Sequence, residues 1–130
     1  MKILLDTHAF LWWVSEPEKL PDSMLQHLID PDIRVFLSVA TSWEVQIKIG
    51  IGRLELKDQW KNIVQTQVKK NFIEVLNITL EHTWALQGLD PLHKDPFDRL
   101  LIAQSLCESL VLVSKDPLIH QYPQVSVLWE

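Results

Sequence analysis

His93-Lys94-Asp95-Pro96-Phe97-Asp98-Arg99-Leu100-Leu101-Ile102-Ala103-Gln104 decides how the chain is read. Two carboxylates open a strongly apolar helical run. Proline is favoured at the first helical position, where its missing N–H costs nothing. Pro96 therefore starts the helix, Asp95 caps it, and Asp98 is its third residue. Asp95 is expected to accept the N–H of Phe97 or Asp98, with both charges at the positive end of the helix dipole. Capping alone is a sufficient reason for acids here, so their meaning rests on the rest of the chain.

Outward from this stretch, the pattern alternates strand and helix. Ile3-Leu4-Leu5 is uniformly apolar and ends at Asp6, which predicts a strand buried on both faces. A helix follows from Thr7 to Val14 and is closed by Pro17. Another starts near Pro21-Asp22-Ser23 and runs to Ile29, before Pro31. Ile33 to Val39 reads as the second strand. Thr41 followed by Glu44 matches a capping box at the next helix start. Ile47 and Ile51 extend the apolar face of that helix, and Gly50 and Gly52 end it. Asp58 is placed to cap a helix from Gln59 to about Lys70, with Trp60, Ile63, Val64 and Val68 inward. Phe72 to Leu76 is the third strand. Thr79 caps a helix that contains Trp84 and ends at Gly88. Leu110 to Ser114 is the fourth strand, and Val125 to Leu128 a last one at an edge. This alternation predicts an α/β fold with a parallel sheet covered on both faces.

Length and composition narrow the function. The chain has 130 residues, 47% of them hydrophobic, with six Trp, which predicts one domain with one sizeable core. Twelve Lys and Arg against 17 Asp and Glu give a net charge of -5, which excludes nucleic-acid binding by bulk positive charge. Binding at a metal site stays open, because there the cation supplies the local charge. The single cysteine, Cys107, reads as a small core residue, and a reduced cytoplasmic setting fits it. Lys2 runs into a short strand rather than a signal peptide. The early apolar run from Ala9 to Val14 is too short for a membrane span.

Four acids fall where such folds build sites, beyond the carboxyl ends of strands near a switch in strand order. Asp6 follows the first strand and Asp116 the fourth. Glu44 and Asp98 lie at helix starts. Clustered carboxylates repel one another and call for a cation, and hard oxygen donors select Mg²⁺ or Mn²⁺. Each acid also has a plainer reading: Asp6 as a cap, Glu44 as a capping-box partner, Asp116 as a turn residue before Pro117. Lys48, Arg53, Lys94, Arg99 and Lys115 are candidate phosphate contacts. His8 reads as packed near the site, and His93 as a loop residue.

Asp6-Thr7-His8 with Phe10-Leu11-Trp12-Trp13, Ser42-Trp43-Glu44 with Lys48 and Gly52-Arg53-Leu54, Asp95-Pro96-Phe97-Asp98-Arg99 with Ala103-Gln104, and Val113-Ser114-Lys115-Asp116 together resemble PIN-domain ribonucleases of the VapC toxin type. The resemblance runs in order along the whole chain. It implies a three-layer PIN-like fold over residues 1–130, with a mostly parallel central sheet and helices on both faces. It further implies a Mg²⁺- or Mn²⁺-dependent endoribonuclease leaving 5′-phosphate and 3′-hydroxyl ends. A homodimer and a small inhibiting antitoxin, with an RNA substrate and no membrane, complete the implied picture. By the same resemblance Asp6, Glu44, Asp98 and Asp116 are the catalytic, metal-binding quartet, and Asp95, part of a subfamily motif, is a further candidate metal ligand. Lys115 stands where relatives often carry Arg, which keeps the charge without a bidentate grip. Two other readings are a Mg²⁺-dependent phosphotransfer or phosphatase domain with Asp6 as nucleophile, and a non-catalytic interaction module. A haloacid-dehalogenase-like enzyme would want a second Asp two residues after Asp6, where this chain has His8.

Overall fold

The first strand, β1 (Lys2–Leu5), lies at the centre of the sheet. Its apolar run is buried on both faces, as continuous hydrophobicity predicts. It pairs in parallel with β2 (Arg34–Ser38) on one side and β4 (Val111–Val113) on the other. The outer strands β3 (Glu74–Leu76) and β5 (Val127–Leu128) are also parallel. The order is β3-β2-β1-β4-β5, so the strand order reverses between β1 and β4. The structure is a computed structural model and describes residues 1–130.

Alternation along β1 sorts the core into two layers. Ile3 and Leu5 point to one, with Phe10, Met24, Leu37 and Trp60. Leu4 points to the other, with Leu101, Ile102, Leu112, Ile119 and Tyr122. The first layer is covered by α1 (Thr7–Ser15), α2 (Asp22–Ile29) and α4 (Trp60–Asn71). The second is covered by α6 (Pro96–Glu108) and α7 (Pro117–His120). Between them in sequence come α3 (Val39–Gly50) and α5 (Leu80–Ala85). This is the predicted three-layer α/β arrangement. No helix is long and apolar enough to cross a membrane.

Several local expectations are corrected. The cap of α3 is Ser38, whose hydroxyl accepts the Ala40 N–H, and not Thr41. A serine at the end of β2 can cap at once, so the helix starts earlier and Glu44 falls in its second turn. The buried face of α3 is Ala40, Thr41, Glu44 and Val45, which turns Trp43, Ile47 and Ile51 outward. Phe72 does not enter β3. It is the left-handed C-cap of α4 with φ 55° and is 83% exposed. Strands β2, β4 and β5 are each shorter than their apolar runs.

Cys107 is exposed, not a core residue. Its turn of α6 has already left the core. The buried position on that helix is instead polar: Gln104 is fully buried, accepts the Ser38 hydroxyl at 2.5 Å and donates to the Asn77 carbonyl at 3.4 Å. A buried amide is tolerated when its bonds are made, and this one ties α6 to the end of β2.

Candidate active site

The head of α6 is built as the sequence predicts. Asp95 Oδ1 accepts the N–H of Phe97 at 2.8 Å and of Asp98 at 3.2 Å, and Pro96 is the first helical residue. His93 departs from expectation. It lies in a loop, yet its side chain is buried among the acids. Its Nδ1 accepts the Asp95 N–H at 3.1 Å. A neutral imidazole in that arrangement carries its proton on Nε2. That N–H lies 2.7 Å from Asp116 Oδ2 and 3.1 Å from Asp98 Oδ2, a fork between two carboxylates.

The loop is held from behind. The Tyr122 hydroxyl accepts the His93 N–H at 3.0 Å and donates to the Asp90 carbonyl at 2.7 Å. Arg99 donates to the carbonyls of Asp90 at 3.0 Å, His93 at 3.4 Å and Leu86 at 3.4 Å. Arg99 is therefore a strut for the loop, with both terminal nitrogens bonded to it or to its neighbours. Lys48 is likewise engaged, 3.1 Å from Glu44. Arg53 lines a separate cleft with Gly52, Leu54 and Trp60. Among the expected phosphate contacts, Lys115 reaches the acids' cavity, while Lys94 is exposed beside His93.

Three of the four acids line one cavity of about 350 Å³: Asp6, Asp98 and Asp116, with His8, Trp12, Lys115 and Pro117. Asp6 caps α1 through the Ala9 N–H at 2.8 Å and is 4% exposed. Burial pushes its carboxyl up, against the hydrogen bonds from Ser114 and Ala9. Asp116 caps α7 through the Leu118 N–H at 2.9 Å. Burial works to raise it too, but the hydrogen bonds from His93 and Leu118 and the nearby imidazoles hold it below the usual carboxylate range. Glu44 is set back. Its Oε1 accepts the Thr7 hydroxyl at 2.6 Å and its Oε2 meets Lys48. Its charge still reaches Asp98.

Asp98 is the acid under most strain. Burial, then the charge of Asp95, push its carboxyl up to about 7, with Glu44 and Asp6 adding and His93 opposing. A ligand atom from each of His93, Asp98 and Asp116 lies within 4.8 Å of the others. Two carboxylates and an imidazole nitrogen thus converge, with Asp6 on the same cavity wall, a donor set able to hold a divalent cation.

The sign of the Asp98 effect is testable. A carboxyl whose folded pKa is raised binds more protons when folded than unfolded. Stability from this group is therefore full at low pH and is lost as pH rises through about 7. Without metal, the melting temperature of wild type should fall from about pH 4 to about pH 7 relative to Asp98→Asn and level off above that. Thermal melts of both proteins across that range check this. Parallel curves would contradict it.

Residues 3–124 match the family model described as PIN domain. Among curated proteins, no significant sequence match to this chain is found. Solved structures share the fold at low identity. VapBC2 from Rickettsia felis, bound to a promoter DNA fragment, superposes with TM-score 0.73 at 17% identity, covering 100% of both chains. DNA-bound VapBC from Salmonella typhimurium gives 0.69 at 13% identity, over 98% of this chain and 97% of that one. FitAcB from Neisseria gonorrhoeae gives 0.64 at 21% identity, over 98% and 96%. With a family match that runs from β1 past α7, the chain belongs to the PIN-domain family.

Proposed function

We propose that this chain is a divalent-metal-dependent endoribonuclease and the toxin of a toxin–antitoxin pair, acting as one PIN domain over residues 1–130 in the cytoplasm. The observation that carries the reading is Asp98. Asp6, Asp95 and Asp116 each cap a helix, and Glu44 is paired with Lys48. A purely structural account therefore covers them. It does not cover Asp98, which caps nothing, meets only the His93 N–H and has its carboxyl pushed up to about 7 by burial first and then by the charge of Asp95. Such a group is matched when a cation joins it. Lys115 is the only lysine or arginine lining the cavity, so the protein itself supplies little of that charge.

Asp6, Glu44, Asp98 and Asp116 would hold Mg²⁺ or Mn²⁺ directly or through its water, with Asp95 adding charge from the cap. When bound, such an ion offsets charge on phosphate oxygens and eases formation of hydroxide from water. The chain's own part is positional. The N–H groups of Ala9 and Leu118 fix one oxygen each of Asp6 and Asp116. His93 spans Asp98 and Asp116, keeping them from springing apart. Lys115 faces the cavity where a substrate phosphate would enter. A phosphoryl-transfer role for Asp6 as nucleophile is disfavoured, since this carboxyl is buried and already committed to the α1 cap.

RNA cleavage and melting curves test this reading. Mg²⁺ or Mn²⁺ at ~100-fold above its dissociation constant should stabilise wild type by about 2.7 kcal/mol. Asp98→Asn should lose nearly all cleavage of RNA while remaining folded. Asp95→Asn keeps a good cap and should retain cleavage. An active Asp98→Asn would refute the assignment.

A homodimer and a small antitoxin partner complete the proposal. Support comes from the likeness to VapBC structures and from an outward apolar stripe on α3, Val39, Trp43 and Ile47. Trp43 is 56% exposed and edge-on to Phe97 at 5.1 Å, beside the head of α6. Sedimentation at micromolar concentration should show a dimer that Trp43→Glu weakens; a wild-type monomer would reject the dimer.

A further inference from the structure

Glu44 is the one acid of the four that does not line the cavity, and both of its oxygens are already engaged. Oε1 accepts the Thr7 hydroxyl at 2.6 Å, and Oε2 lies 3.1 Å from the Lys48 ammonium. The other lysine and arginine ion pairs, Lys19 with Glu16 and Arg34 with Glu74, are exposed at both ends, whereas the Glu44 side chain is only 8% exposed. Exposed pairs contribute little and separate readily. A buried carboxylate is costly without its partner, so the Lys48 ammonium is held where it is. The two residues stand one turn apart on α3 with the acid nearer the N-terminus, the order a helix favours. The pair borders the cavity acids: Thr7 directly follows Asp6, and the charge of Glu44 acts on Asp98.

We infer that Lys48 is a built-in cation standing in for a second metal ion, so that the chain takes one divalent cation and not two. The inference rests on the metal-dependent reading above and sets its stoichiometry. Two-ion sites hold their cations ~3.5–4 Å apart, with acids on both flanks. Here Asp98, Asp116 and Asp6 converge on one flank, and Glu44 is the acid left for the other. An ion bound to Glu44 Oε2 at about 2.1 Å would lie within about 5 Å of the Lys48 nitrogen. Positive charges that close repel, and more so where burial lowers the dielectric. An ion on Oε1 would have to displace the Thr7 hydroxyl. A tethered ammonium already gives Glu44 the charge partner that a second ion would bring. Lys48 is thus a positioning residue. It holds Glu44 back from the cavity, and Glu44 meets the single ion through the ion's water, which Mg²⁺ in particular sheds reluctantly.

The test counts ions. The purified full chain is titrated with Mn²⁺ alone, and free Mn²⁺ is read from its solution EPR signal. Wild type should bind one Mn²⁺ per chain. Lys48→Met leaves Glu44 without its cation and should bind two. Lys48→Arg keeps the charge and should return the count to one. Adding Glu44→Gln to Lys48→Met should also return it to one, which locates the second ion at Glu44. Circular dichroism confirms that each variant is folded. If Lys48→Met does not fold, Lys48→Gln puts the same question with an uncharged polar head and is read in the same way.

Two Mn²⁺ per chain in wild type would overturn the inference, as would a frozen-solution EPR spectrum of a coupled Mn²⁺ pair. A single ion in folded Lys48→Met or Lys48→Gln would overturn it too, because the ammonium would then serve only to bury Glu44. Those results leave the metal-dependent reading standing. Wild type that binds no Mn²⁺ at millimolar concentration would sink that reading, and the inference with it.

Discussion

β1 is hydrogen-bonded in parallel on both sides and buried on both faces, and the site is positioned from its end. A strand so enclosed cannot slip by one residue without turning its apolar side chains the wrong way. Asp6 is the next residue, and its N–H is fixed by the Val113 carbonyl at 3.0 Å. The last residue of β4 is thus coupled directly to the residue that follows β1. Strand order reverses between these two strands, which opens the crevice there. Asp6 and Asp116 flank that crevice because of the pairing, before any question of chemistry arises.

Capping then makes the acids rigid. Asp6, Asp95 and Asp116 each satisfy helix N–H groups that would otherwise lack partners. Structural and functional readings of these residues therefore do not compete. A carboxylate held by backbone N–H groups is also a carboxylate held in place for a ligand. His93 adds the cross-brace between Asp98 and Asp116, and Tyr122 and Arg99 hold His93. What these bonds leave unresolved is charge. Asp98 bears most of it: burial first, then the charge of Asp95, pushes its carboxyl up to about 7.

Features governed by local chemistry were legible in the sequence. The apolar run of β1, the Asp95-Pro96 helix start and the Thr79 cap are each set by neighbours within a turn. The meeting of Asp6, Asp98 and Asp116 followed from strand order plus family resemblance. What could not be read depends on distant partners. The burial of His93 needs Tyr122, far along the chain, and the fate of Arg99 needs loop carbonyls. A histidine placed to accept the N–H of a capping Asp was a usable signal, since that bond turns its other nitrogen toward the acids. Ser38 displaced Thr41 as the α3 cap because both are good caps and only the end of β2 decides between them. Glu44 sits back from the cavity for the same reason, one turn deeper in the helix than a capping box would place it.

The central claim is that a divalent cation relieves the charge on Asp98. Mn²⁺ titration by calorimetry near pH 6.5, in buffers of different ionisation enthalpy, measures it most directly. A carboxyl with a pKa of about 7 is largely protonated there, and an ion that binds it must displace the proton. The account predicts saturable binding with proton release into the buffer, with the release lost in Asp98→Asn. Binding without proton release, or no binding at millimolar Mn²⁺, would contradict it.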